Sequence, residues 1–214
     1  RVFLYQRGTL SSQQLSHPVI SVGNLTVGGT GKTPLVSFLA QILKKAGYQP
    51  IILTRGYKRR NPTPILTVSD GKKILCSWED SGDEPYLLAR NLEGVPVVAS
   101  KNRYQAGRSV QHDYSDPIIY LLDDGYQHLQ LKRNLNILLL DATDPFGGGQ
   151  LLPRGRLRES TRGLKRADAI IITRSHIPFE METVTQHIRK WNPWAPITYF
   201  HHDATSLYDL KTGE

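Results

Sequence analysis

Short apolar runs recur along the chain, and stretches of helical spacing separate them. The runs fall at residues 19–22, 51–54, 95–98, 118–122, 137–140, 169–173 and 197–200. They are continuously apolar and not alternating, which predicts strands buried on both faces. The clearest helix follows Lys32, where Leu35, Phe38, Leu39, Ile42, Leu43 and Ala46 recur at helical intervals. Lys44 and Lys45 fall in its last turn and Gly47 provides the stop. Further helices are predicted over 84–92, 101–112, 156–167 and 179–191. Alternation of strand and helix predicts an α/β fold: a mostly parallel sheet with helices on both faces. Residues 61–80 break the rhythm. Pro62, Pro64, Asp70 and Gly71 separate two strand-like pieces, 65–68 and 73–76, which reads as a small β-hairpin insertion.

Composition narrows this picture. The chain has 214 residues, 39% of them hydrophobic and 21% charged, which excludes a disordered or collagenous polymer. That length fits one domain over 1–214. No apolar run approaches the ~18 residues of a membrane span. A single cysteine, Cys76, excludes an internal disulfide framework. Lys and Arg number 27 against 19 Asp and Glu, a net charge of +8. This balance suits anionic partners. Arg154, Arg156, Arg158, Arg162, Lys165 and Arg166 crowd one stretch, and Lys58, Arg59 and Arg60 form a second knot. Nucleic acid is not predicted, because no zinc spacing, helix-turn-helix or aromatic RNA-binding strand accompanies the charge.

The strongest motif is Thr26-Val27-Gly28-Gly29-Thr30-Gly31-Lys32-Thr33. It follows the first strand and opens the best helix, the context of a phosphate-binding P-loop. Glycines let backbone N–H groups turn inward around phosphate oxygens, and the helix N-terminus adds donors and a positive dipole end. Lys32 would reach the β- and γ-phosphates, and the Thr33 hydroxyl would ligate Mg²⁺. The strict pattern has glycine where this chain has Thr26. Pro34 falls in the first helical turn, where its missing N–H costs little.

Acids at strand ends complete the chemistry. The run 118–122 ends in Asp123-Asp124-Gly125, placing a carboxylate for the metal shell beside the P-loop. Successive strand side chains point oppositely, so one of Asp123 and Asp124 faces the metal, and spacing alone leaves open which. Asp141, after another buried run, is a parallel candidate. Asp83, in Gly82-Asp83-Glu84-Pro85, reads from spacing alone as a helix N-cap.

Together these residues closely resemble the tetraacyldisaccharide 4′-kinase family, the lipid A 4′-kinases. The resemblance rests on five motifs in order: 23–34, then Thr54-Arg55-Gly56-Tyr57, Gly82-Asp83-Glu84-Pro85, Asp123-Asp124-Gly125-Tyr126-Gln127-His128, and Leu152-Pro153-Arg154-Gly155 with Leu157-Arg158-Glu159. It implies a P-loop NTPase-like fold, ATP and Mg²⁺ as cofactors, and phosphorylation of the 4′-hydroxyl of a tetraacylated glucosamine disaccharide 1-phosphate. The product is the lipid A precursor lipid IVA. Work at the cytoplasmic face of the bacterial inner membrane, as a peripheral protein, is also implied. Carried over by position, Thr26 to Thr33 form the cradle, Asp83 is the catalytic aspartate that takes the hydroxyl proton, and Asp123 and Asp124 are metal-site acids. Gln127 and His128 complete that motif, and Arg103 falls where the family has an active-site arginine. Arg158, in the basic cluster, is expected to meet the sugar 1-phosphate or anionic headgroups. The glycine loop 144–149 is expected to flex for acyl chains. Family members also carry a C-terminal lobe with a supporting histidine and an N-terminal anchor, both of which are expected to be missing here. His201-His202-Asp203 reads as ordinary strand-end residues and not as a substitute.

Two other classes fit a P-loop. A GTPase or metallochaperone-like switch would carry Asn-Lys-x-Asp after a late strand, and Thr173-Arg174-Ser175-His176 stands there instead. A non-catalytic nucleotide-binding module would bind ATP without transferring phosphate.

Overall fold

The computed structural model describes residues 4–5, 7, 9–114, 117–177 and 179–201. Its strands are β1 (Val19–Asn24), β2 (Gln49–Thr54), β3 (Ile65–Ser69), β4 (Val97–Ser100), β5 (Ile118–Leu122), β6 (Leu135–Asp141), β7 (Ala169–Thr173) and β8 (Ile197–Phe200). The helices are α1 (Lys32–Lys45), α2 (Trp78–Ser81), α3 (Asp83–Asn91), α4 (Arg103–Val110) and α5 (Met181–Trp191). All eight strands join one sheet in the order β3-β4-β2-β5-β1-β6-β7-β8. Every pairing is parallel except β3 with β4.

The unbroken apolar runs are explained by two-sided burial. Val22, Ile52, Val97, Leu121 and Leu139 face one layer, packed under α1 and α3 by Leu35, Val36 and Leu88. Ile51, Leu53, Val98, Tyr120 and Leu122 face the other, against Ala106 and Val110 of α4. Further along that second layer, Leu138, Leu140, Ile170 and Ile172 pack on Val184 and Ile188 of α5. This is the mostly parallel α/β sheet that the strand and helix pattern predicts, in the P-loop NTPase-like form that the resemblance implies.

The insertion at 61–80 turns back on itself as a short hairpin: Leu75 N–H donates to Val68 O at 2.8 Å, and Ser69 bridges Ile74. Its first leg is also β3 at the sheet edge, antiparallel to β4. One local expectation is corrected. The helix predicted over 156–167 is absent. A 3₁₀ segment, Thr161–Arg166, replaces its second half. Its first half is an extended stretch bonded to the P-loop entrance, where Arg158 N–H donates to Leu25 O at 2.7 Å. Tertiary pairing won over local spacing there.

Leu121 is fully buried in β5. Leu121→Ala is expected to cost about 2–5 kcal/mol, lost methylenes plus a cavity, read as a lower urea midpoint at unchanged slope.

Candidate active site

Strand β1 runs directly into the P-loop. Its last residue, Asn24, donates from Nδ2 to Thr30 Oγ1 at 3.0 Å and so braces the loop across its base. Gly31, the residue before α1, has φ 80°, a left-handed bend that a side chain rarely adopts. Gly28 also has a positive φ, and a Cβ there would stand 2.4 Å from the Arg156 guanidinium. The guanidinium can swing aside, so the φ of 123° is what favours glycine there. Lys32 then opens α1, and Thr33 follows it at the N-terminal end. Gly28 to Thr33 line a cavity of about 480 Å³ together with Glu84, Arg174 and Phe200.

Two arginines hold the loop from outside. Arg156 donates to Val27 O at 3.0 Å and pairs with Asp144 at 3.2 Å. Arg174 donates to Gly29 O at 3.0 Å and pairs with Asp141 at 2.5 Å. Thr173 Oγ1 donates to Thr30 O at 3.0 Å. Carbonyls are thus drawn outward, which leaves loop N–H groups for the cavity side. Asp141 therefore serves the loop by orienting Arg174. The glycine loop at 144–149 is pinned as well: Gly148 N–H donates to Asp144 Oδ1 at 3.0 Å, and Gly147 packs against Thr26 and Arg156. Gly148 and Gly149 are exposed, with open space around them.

Pairing of β1 with β5 brings the two acids to the loop. They have different surroundings. Asp124 has φ 51° and turns back toward the loop, 3.8 Å from Lys32 Nζ. Both its oxygens also accept from Arg158, at 2.9 and 2.8 Å. Burial acts to raise its pKa, but Lys32 and Arg158 outweigh burial and hold the carboxyl below its usual value. Asp123 is buried, and neither of its carboxylate oxygens has a hydrogen-bond partner. Burial, then Glu84 and Asp124, push its pKa up to about 7, against the pull of Lys32 and Arg103.

The remaining predicted residues fall around this pair. Arg103, the first residue of α4, is 5% exposed and its Nε has no partner. Burial brings its guanidinium down to about 10, with Asp124 opposing and Arg55 adding to the fall. Gln127 donates to Asn24 O at 2.8 Å and to Glu159 at 3.0 Å, so it braces the strand end. Arg158, expected to face a headgroup, is engaged with Asp124 instead. Arg166 is likewise turned inward, onto Glu159 at 2.7 Å. Arg156, Arg158 and Arg166 of the basic cluster thus pair with acids of the fold, while Arg154, Arg162 and Lys165 are exposed.

Asp83 is not the N-cap that spacing suggests. Gly82 holds the cap position and Asp83 is the first helical residue of α3. Its carboxylate makes no hydrogen bond or ion pair among the described residues. It lines a cavity with Tyr57, Lys58 and Trp78 that shares Glu84 with the P-loop cavity. Glu84, Arg174 and Arg156 escaped sequence reading. The strand-end rule that picked Asp123 applies equally to Arg174 just after β7. His201 borders the P-loop cavity, and His202 and Asp203 lie outside the described residues. No helix among the described residues is long and apolar enough to cross a membrane.

Comparisons with known proteins follow this geometry. A family model described as tetraacyldisaccharide-1-P 4′-kinase matches residues 1–212. The tetraacyldisaccharide 4′-kinase of Syntrophus aciditrophicus is 49% identical over 170 residues, covering 79% of this chain and 45% of that protein. Its counterpart in Elusimicrobium minutum is 39% identical over 214 residues, covering 97% of this chain and 56% of that protein. A crystal structure of LpxK from Aquifex aeolicus, in complex with ATP, matches with a TM-score of 0.76 at 35% identity, covering 96% of this chain and 77% of that one. The chain spans about half the length of the curated relatives it matches.

An acid whose folded pKa is raised favours folding below its unfolded pKa and loses that advantage as pH rises through the folded value. Asp123 should therefore weaken the ligand-free fold between about pH 4 and about 7. Asp123→Asn is expected to melt higher than wild type at pH 8 and to lose most of that gain at pH 4, in paired thermal scans.

Proposed function

The chain belongs to the tetraacyldisaccharide-1-P 4′-kinase family, and from that premise we propose that it transfers the γ-phosphate of ATP to the 4′-hydroxyl of a tetraacylated glucosamine disaccharide 1-phosphate, giving lipid IVA. The observation that carries this reading is the meeting of Lys32 and Asp124 at 3.8 Å beside a glycine loop that opens a helix. Phosphoryl transfer asks for positioning and charge neutralisation more than covalent chemistry, and these residues supply both.

In this reading the triphosphate lies on the loop amides, with Lys32 on the β- and γ-phosphates. Asp124 orients Lys32 and is itself fixed by Arg158. The residues present fit a magnesium ion accompanying ATP. Asp123 offers two buried carboxylate oxygens without partners, and Thr33 lines the P-loop cavity. Magnesium, when bound, would neutralise phosphate oxygens. Asp123 is thus the better candidate for the metal and Asp124 for the lysine, which divides a role that the sequence leaves joint. Asp83, free of internal partners, is the base that takes the acceptor hydroxyl's proton, a contribution of roughly 10²–10⁴-fold.

The acceptor is a lipid, so the chain is proposed to work as a peripheral protein at the cytoplasmic face of the bacterial inner membrane. Exposed Tyr57 and Trp78 beside Asp83 suit contact with apolar groups there. The decisive assay follows label from γ-³²P-ATP into the acylated disaccharide phosphate, with and without Mg²⁺. Labelled lipid only when all three are present is the expected result, and GTP in place of ATP with equal efficiency would favour the GTPase class.

Lys32→Ala is expected to weaken ATP binding by at least ~10-fold, since a charge-assisted phosphate contact is lost, with the melting temperature retained. Asp83→Asn is expected to bind ATP normally while turnover falls ~10²-fold or more. Unchanged turnover in that variant would remove Asp83 from the chemistry.

A further inference from the structure

Two consecutive residues at the end of β7 take two consecutive carbonyls of the P-loop. Thr173 Oγ1 donates to Thr30 O and Arg174 Nη2 donates to Gly29 O, each at 3.0 Å. Gly29 sits at an open bend, where an added Cβ would meet nothing within 4 Å. Side-chain packing does not confine that bend, and the hydrogen bond from Arg174 restrains it. Reaching it strains the backbone. Arg174 has φ 55°, a left-handed conformation that an arginine seldom adopts.

The guanidinium is not loose in the cavity. Register pairs Asp141 of β6 with Thr173 of β7, one residue before Arg174. Arg174 Nη1 donates to Asp141 Oδ2 at 2.5 Å. Asp141 is itself fixed. It is only 8% exposed, and its Oδ1 accepts from the Thr143 N–H at 3.0 Å and from the Thr143 hydroxyl at 2.6 Å. Thr143, Asp141, Arg174 and Gly29 therefore form one chain of hydrogen bonds, running from the turn after β6 to the loop.

Two roles are open to a cation that borders the P-loop cavity. It could touch an incoming phosphate, or it could shape the loop whose N–H groups do so. Here one guanidinium nitrogen is engaged by a carboxylate that offsets its charge, and another by a main-chain oxygen. A direct phosphate ligand would work better without that counter-charge.

We propose that Arg174, held by Asp141, is a positioning residue that fixes the Gly29 carbonyl outward, so that the P-loop meets the nucleotide's polyphosphate already formed. A glycine loop ordered before binding loses less affinity to its own ordering. This role rests on the kinase reading above for the nucleotide, and it adds to that reading two residues outside the P-loop motif.

The test titrates ATP with Mg²⁺ into the full chain by calorimetry, without acceptor. Arg174→Ala is expected to weaken ATP binding about 10-fold, and Arg174→Lys, which keeps a charged donor, to recover part of the loss. Asp141→Asn is expected to weaken it to a similar degree, and the double variant Arg174→Ala with Asp141→Asn to bind no worse than either single one, because the pair acts as a unit. Arg174→Gly separates positioning from fold stability. Glycine takes φ 55° freely, so this variant is expected to melt at or above Arg174→Ala while binding ATP no better. Wild-type affinity in Arg174→Ala would overturn the proposal. Tighter binding in Asp141→Asn would also overturn it, since a freed cation would then be touching phosphate. Additive losses in the double variant, or affinity that simply follows melting temperature, would do the same. Phosphate transfer is measured separately. The expected coupling in a chain that moves no phosphate to the acceptor would count against the kinase reading and leave the positioning role standing, whereas no ATP binding by wild type would remove both.

Discussion

Two carboxylates on consecutive residues at the end of one buried strand cannot share one environment and both remain useful. Their mutual repulsion in a poorly solvated place would push a proton onto one of them. The backbone resolves this at Asp124, whose positive φ swings its side chain out of the strand's alternation. One acid then gains two cations, Lys32 and Arg158, and remains ionised. The other stays buried with neither oxygen engaged, and its proton affinity rises. In the proposed kinase reading this asymmetry would be useful: one carboxylate would position the lysine, and the other would remain open to a divalent cation accompanying the nucleotide. The cost is a fold that is less stable without ligand above neutral pH.

The order of the sheet makes this arrangement possible. With β1 flanked by β5 and β6, the P-loop emerges between the Asp123–Asp124 turn on one side and Asp141 on the other. Each flanking acid works through an arginine. Asp124 takes Arg158, from the extended stretch that pairs with the P-loop entrance, and Asp141 takes Arg174, from the end of β7. The loop is thereby gripped on its carbonyl side from two chain segments, by Arg156 of the extended stretch and by Thr173 and Arg174 at the end of β7. A glycine loop is conformationally permissive, and such external contacts are what restrict it to one shape.

Much of this was legible in the sequence, for identifiable reasons. The seven apolar runs announced strands because two-sided burial forces unbroken hydrophobicity, and each became a strand within two or three residues. The helix after Lys32 was legible from its spacing and its glycine stop. What escaped was non-local. Residues 156–167 carry good helix formers, yet hydrogen bonds to Leu25 and Val27 draw the first half into an extended form that no local spacing encodes. Strand β3 was legible as one leg of a hairpin, but its pairing with β4, about 30 residues on, was not. Among site residues, the glycines, Lys32 and the paired aspartates stood out by motif. The arginine clamps did not, since an arginine reads as solvated until its acceptor carbonyl is located in space. The same blindness made the 154–166 cluster look like a ligand surface when half of it is structural.

Asp83 shows how geometry and resemblance divide the argument. Spacing alone favoured a cap, a role that ends with the side chain satisfied by the helix it opens. The helix instead starts at Asp83 with Gly82 in the cap position, so no backbone donor claims the carboxylate. A carboxylate left without an internal partner beside the P-loop cavity's own Glu84 remains an acceptor for something that comes from outside. An incoming hydroxyl is such a group, and its proton must leave before or as the phosphorus–oxygen bond forms. The same logic of unmet valence singles out Asp123, with two unengaged oxygens. Across this face of the sheet, the residues that the fold satisfies build the frame. Those it leaves unsatisfied mark where ligand atoms belong.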